Sequence, residues 1–206
     1  MPVDPEIESV IRRTAARHNI DPALMMAIAE RESSFNPSAG SGSPKSSAYG
    51  LFQLLRGERA RYGGSSTDPE EQADAWARYI KPTQAEMRSV LGRDPSGSET
   101  YLGHYFGGMR AAHMINGQIP EEMPVDHVFT PNEMAANPNF ARAGTAGALR
   151  DSVLADVDRR QRKFGGGDQT GGAPSGTGRS GGVGLDFSSE AADAGPLDFS
   201  MEAEAA

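Results

Sequence analysis

Cysteine is absent from the 206-residue chain, which removes disulfide frameworks, thiolate metal sites and cysteine nucleophiles from consideration. No apolar run exceeds Ala23–Ala29, far short of the roughly 20 residues that span a bilayer as a helix. Residues 1–6 carry no basic flank and no apolar stretch, so no secretory signal is read there. Basic residues are outnumbered, 20 against 28 acids for a formal net charge of -8. With no basic stripe interleaved with aromatics, nucleic acid is not expected as a main ligand. His104, His113 and His127 lack acids at ligand-like spacing, so no metal is expected. Gly165-Gly166-Gly167 follows a helical pattern rather than a strand, which argues against a phosphate-binding loop.

The charge is concentrated at one end. Beyond Phe164 the acids Asp168, Asp186, Glu190, Asp193, Asp198, Glu202 and Glu204 face the single base Arg179. This stretch is rich in glycine and has little to bury, so residues 165–206 read as a flexible tail. Within it Leu185-Asp186-Phe187-Ser188 recurs as Leu197-Asp198-Phe199-Ser200, each copy followed by a Glu. Such a duplicated peptide would suit docking to a partner.

Residues 1–164 read as helix after helix, with no sustained alternation of apolar and polar residues, and the expected fold class is all-α. A first helix is read over Pro5–His18, and Asp21-Pro22, Asp68-Pro69 and Thr130-Pro131 are start signals, a capping side chain followed by proline at the first helical position. A helix is also expected over Gly50–Tyr62. Trp76, Tyr79 and Ile80 lie on an inward face of the Asp68 helix, which Pro82 is expected to kink or split. Glu99–Ile115 should break at Gly107-Gly108, and Thr145 opens the last helix. Long loops at Ser33–Tyr49 and Asn116–Phe129 are the places to look for function.

On the helix that Asp21 starts, Leu24, Ile28 and Glu32 recur every four residues, a drift of about 40° per step. Glu32 thus continues an apolar stripe, while Glu30 falls on the opposite side, expected in water. A carboxyl at the end of an apolar stripe is partly desolvated, which raises its pKa and suits it to act as a general acid.

Glu32-Ser33-Ser34-Phe35-Asn36-Pro37, then Ser41, then Ala48-Tyr49-Gly50-Leu51-Phe52-Gln53 resemble the soluble lytic transglycosylase family, marked by Glu-Ser-x-x-x-Pro, a nearby Ser and Gly-Leu-Met-Gln. The resemblance covers Asp21–Ala112. It implies a lysozyme-like helical domain over residues 1–164, with residues 113–164 as a helical extension. It also implies cleavage of the β-1,4 bond between N-acetylmuramic acid and N-acetylglucosamine in peptidoglycan. Glu32 matches the catalytic acid, Ser33 its neighbouring serine and Ser41 the loop serine. Gly50, Leu51 and Gln53 match the motif that lines the cleft. Tyr49 and Phe52 are candidates for stacking on sugar, Phe52 standing where the family has Met. Tyr105, in Leu102-Gly103-His104-Tyr105-Phe106-Gly107-Gly108, matches the tyrosine of a third motif, Ala-Tyr-Asn-Ala-Gly. The Asn of that motif is lost to Phe106, and Tyr101 competes for the role.

Ordinary glycosidases use two carboxyls flanking the bond, and Glu58 is the one plausible second acid here. The family resemblance implies a mechanism without it: Glu32 protonates the leaving oxygen, the muramyl 6-hydroxyl attacks, and a 1,6-anhydro ring closes, with no cofactor or metal. A hydrolytic muramidase acting on the same bond is the alternative, as is a catalytically weak structural protein of a virion or injection machine. Tyr101–Ile115 is similar to transglycosylase domains of bacteriophage virion proteins. The expectation is a virion-associated enzyme used in genome delivery, or one exported by a secretion apparatus, docked through the tail.

Overall fold

The computed structural model describes residues 3–41 and 46–165, and the described residues are helical with almost no strand. Ten helices follow in order: α1 Pro5–His18, α2 Pro22–Ser33, α3 Arg56–Tyr62, α4 Pro69–Leu91, α5 Gly97–Phe106, α6 Gly108–Ile115, α7 Val125–Val128, α8 Pro131–Ala136, α9 Pro138–Ala143 and α10 Ala146–Lys163. Among the described residues, β structure is limited to isolated bridges pairing Tyr49 with Gly40 and Leu54, and Pro124 with Thr145. The duplicated Leu-Asp-Phe-Ser motif lies outside the described residues.

The start signals act as their chemistry dictates. Asp4, Asp21 and Asp68 each accept a hydrogen bond from the backbone N–H two residues on, with proline at the first helical position. Thr130 and Glu133 form a reciprocal capping box at α8, as Ser96 and Glu99 do at α5. Gly107, at φ +83, separates α5 from α6.

Several elements differ from the sequence expectation, among them α9, a helix not expected from the sequence. Residues 50–53 are a turn with Gly50 and Gln53 at positive φ, so the helix begins only at Arg56. The Asn116–Phe129 segment contains the short helix α7. Most clearly, α4 runs unbroken through Pro82. A proline inside a helix costs about 3 kcal/mol. Here α4 buries Ala73, Trp76, Ala77 and Ile80 before Pro82 and Met87 after it. It packs on α1, α5 and α6 along that length, and splitting it would expose the second half of the stripe.

The core is one cluster. Ile11, Met25, Ile28, Leu51, Phe52, Trp76, Ile80 and Tyr101 lie together with Leu149 and Val153 of α10. The last helix therefore packs against the same interior as α2 and α5. Among the described residues no helix is long and apolar enough to cross a membrane.

Candidate active site

Helix α2 ends one residue beyond the carboxylate that the apolar stripe singles out. Ser34 and Phe35 both adopt left-handed backbone conformations, at φ 51 and 65. Their N–H groups return to the carbonyls of Glu30 and Ala29, closing the helix C-terminus. A non-glycine residue in this region costs of order 1 kcal/mol or more, and such strain concentrates at functional sites. Gln53, at φ 48, is a third case on the facing turn.

The loop after α2 is tied to that turn by side chains. Ser33 Oγ lies 3.1 Å from the Ala29 carbonyl oxygen and 3.0 Å from that of Leu51. Gln53 Nε2 donates to the carbonyls of Ala39 and Gly50. Gln72 of α4, which the sequence did not single out, is the central clamp. Its Oε1 accepts from Leu51 N at 2.7 Å, and its Nε2 donates to the carbonyls of Pro37 and Ser66. This clamp explains Gly50: a Cβ there would lie 2.6 Å from Gln72 Oε1. Ser33 and Gln53 thus spend hydrogen-bonding capacity on holding the loop. Tyr49 is half-exposed, with the Arg59 guanidinium 5.4 Å from its ring centroid. Ser41 is half-exposed at the edge of the described loop.

Phe52 is placed otherwise than its expected role requires. Only 1% of it is exposed, and its ring stacks on Trp76 at 5.3 Å. It supports the turn from beneath and offers no open face to a sugar. Leu51 is fully buried.

Glu32 is 7% exposed. Burial pushes its carboxyl above the usual range; the Arg31 charge, the hydrogen bond from Tyr101 and the Arg160 charge pull the other way without cancelling it. Its Oε1 accepts from the Tyr101 hydroxyl at 2.5 Å. Of the two tyrosines left open by the sequence, Tyr101 therefore reaches the acid. Tyr105, one turn on and 5% exposed, stacks on Tyr101 with ring centroids 5.9 Å apart and is hydrogen-bonded to Arg31. Expected to contact substrate, it instead backs the tyrosine that holds the acid.

Glu30 is also not where the helical phase put it. It is half-buried and paired with Arg160 and Lys163, because α10 covers that side of α2. Glu58 is half-buried at the start of α3, where it accepts from Leu55 N at 2.7 Å. It is hydrogen-bonded to Tyr79, whose hydroxyl is held well above its ordinary range by burial first, then by Glu58, with Tyr62 and Glu32 contributing.

His104 is buried among Trp76, Tyr79 and Tyr101, with ring centroids at 6.2, 5.5 and 5.6 Å. Neither ring nitrogen has a hydrogen-bond partner among the described residues, and burial pushes its pKa down to about 3. It is a neutral packing residue. Among the described residues no three His, Cys, Asp or Glu side chains gather as a metal-binding group.

A single buried carboxyl that favours its protonated form, with a tyrosine hydroxyl on one oxygen and a clamped polar loop beside it, is equipped for general acid catalysis. Residues 9–92 match the family described as Transglycosylase SLT domain. The chain is 31% identical over 111 residues to the membrane-bound lytic murein transglycosylase C of Yersinia pestis (strain Pestoides F), a match covering 48% of this chain and 30% of that protein. It is 27% identical over 138 residues to the protein of the same description from Serratia proteamaculans (strain 568), covering 55% of this chain and 38% of that protein. The chain thus spans about a third of the length of these relatives.

Proposed function

We propose that this protein is a peptidoglycan lytic transglycosylase, a glycosidic bond lyase that cleaves the MurNAc-β-1,4-GlcNAc bond and leaves a 1,6-anhydro-MurNAc end. The observation that carries the reading is Glu32, a buried carboxyl with a raised pKa and a Tyr101 hydroxyl on Oε1. The SLT match over residues 9–92 and the names of the relatives support the substrate class. Glu32 protonates the glycosidic oxygen as the bond to C1 breaks. The carboxylate so formed takes the proton of the muramyl 6-hydroxyl as that oxygen attacks C1. The acid is regenerated and no water is consumed.

Tyr49 and Ser41, half-exposed on the loop and turn beside α2, are the side chains this reading places against the glycan. The decisive experiment is mass spectrometry of digested sacculi. Anhydro products, lighter by one water than hydrolytic ones, support the proposal. Reducing-end products would favour a hydrolytic muramidase on the same bond. Glu32→Gln should lower turnover by about 10²–10⁴ while Glu58→Gln changes it little; equal losses would overturn the single-acid mechanism.

We further infer that the enzyme is carried by a virion and serves cell-wall penetration during genome delivery, with export through a secretion apparatus as the other route. The support is the repeated Leu-Asp-Phe-Ser peptide as a docking element. Phe187→Ala with Phe199→Ala should remove the protein from purified particles. Normal incorporation, read by quantitative blotting, would overturn the docking role.

A further inference from the structure

Arginine is seldom buried, yet the side chain of Arg31, next to the acid in sequence, is 2% exposed and faces the 3% exposed side chain of Asp156 on α10. Its Nη1 donates to Asp156 Oδ2 at 2.6 Å, and its Nε donates to the Tyr101 hydroxyl at 2.7 Å. The guanidinium also lies 5.2 and 5.6 Å from the ring centroids of Tyr101 and Tyr105. Asp156 is held from its own helix by Arg159 and Arg160.

Hydrogen-bond bookkeeping gives this chain a direction. A guanidinium donates and never accepts, whereas a phenol has one hydrogen and an acceptor side. Arg31 occupies the acceptor side of the Tyr101 hydroxyl, so its one hydrogen points to Glu32 Oε1. That oxygen is then an acceptor in either protonation state, and the proton of the neutral acid resides on Oε2.

We propose that Arg31, anchored by Asp156 of α10, is a positioning residue that fixes the Tyr101 hydroxyl as a donor to Glu32 Oε1 and so makes Oε2 the oxygen that delivers and recovers the catalytic proton. The inference rests on reading Glu32 as the general acid. It adds that the acid is oriented from α10, outside the 9–92 family match.

The charged and titratable groups facing Glu32 are Arg31 on its own helix, Tyr101 and Tyr105 on α5, Tyr79 on α4 and Arg160 on α10. The test uses the full chain in wild-type, Arg31→Met, Arg31→Lys, Tyr101→Phe and Arg31→Lys/Tyr101→Phe forms. Two readouts are taken: the pH profile of glycan turnover, and Glu32 protonation followed by carboxyl 13C NMR, which needs no activity. Arg31→Met should move the Glu32 midpoint and the alkaline limb of kcat/KM to higher pH. It should also lower kcat by about tenfold to a hundredfold, the scale of a misplaced catalytic group. Arg31→Lys keeps the charge but not the planar fork, so the midpoint returns toward wild type while kcat stays reduced.

If Arg31 acts through Tyr101, Arg31→Lys has no further effect on kcat in the Tyr101→Phe background. Additive losses there, or an unmoved midpoint in folded Arg31→Met, would overturn the proposal. Should Arg31→Met fail to fold, the cycle of Arg31→Lys with Tyr101→Phe decides it. Failure of the general-acid reading has a different signature: Glu32→Gln remains active although the Glu32 midpoint in the Arg31 variants shifts as described.

Discussion

His104 makes stability depend on pH below its ordinary titration range. Its ordinary pKa of 6.5 falls to about 3 in the folded protein, through burial first and the Arg31 charge second. In the unfolded chain it titrates normally. A depressed folded pKa means that stability is fully present above 6.5 and is lost as pH falls from there toward 3. Each unit well below 6.5 is worth about 1.4 kcal/mol, so the descent to pH 4.5 costs roughly 2–3 kcal/mol. Glu71, Asp74, Glu99 and Glu133, whose carboxyls are lowered by their partners, titrate when unfolded at 4.5 or 3.8 and add their losses below that window. Glu32 works in the opposite sense, but it is present in both proteins being compared. His104→Leu removes the titrating ring and two buried nitrogens that have no partner. Guanidinium unfolding followed by the fluorescence of Trp76 and by circular dichroism, at pH 7 and pH 4.5, should show the wild type losing roughly 2–3 kcal/mol more than His104→Leu across that interval. An identical loss in the two proteins would refute the assignment of His104 as buried and neutral.

Further outcomes follow from individual contacts. Phe52→Ala should cost about 3–5 kcal/mol in thermal or chemical unfolding, whereas Phe52→Met, volume-conserving beneath the Gly50–Gln53 turn, should cost less than about 1.5 kcal/mol. Glu30→Gln removes partly exposed pairs with Arg160 and Lys163, so its effect on unfolding should be about 1 kcal/mol or less, with glycan turnover nearly unchanged. Glu32→Gln should stabilise the fold at neutral pH. The carboxyl's folded pKa is raised by burial, so its penalty is absent below the unfolded value and grows as pH rises toward the folded one; a variant no more stable than wild type at pH 8 would contradict it.

The α2 helix was legible because its signals are local: Asp21 and Pro22 start it, and the stripe Leu24–Ile28–Glu32 points the acid inward. What the sequence could not supply was what covers the other sides. Periodicity put Glu30 opposite the stripe, but α10, distant in sequence, packs there and supplies Arg160 and Lys163. Tyr101 and Tyr105 are four residues apart on one face of α5, so spacing alone cannot say which reaches Glu32; the register of α5 against α2 decides it. Phe52 reads as a motif residue and is a core residue, because the turn places Trp76 directly against its ring. Gln72 and Arg31 carry no sequence signal at all, since both residue types are mostly exposed and their burial follows from partners in other segments. Pro82 was read by its local cost, which the packing of both halves of α4 outweighs.

The family match ends at Gly92, before the start of α5. The matched region contains the acid, its serine neighbour and the clamped loop, yet neither the hydroxyl on Glu32 nor the aspartate behind Arg31. Those come from α5 and α10. A buried glutamate beside a buried arginine is costly for each alone, because each loses its water. The cost is lowered when Asp156 neutralises Arg31 and Tyr101 joins Arg31 to Glu32. In the folded chain Arg31 is held by α10 through Asp156, and its charge only partly offsets the burial that raises the pKa of the acid. Helix α10 thus does more than close the core: it supplies the aspartate that pairs with the buried positive charge beside the acid.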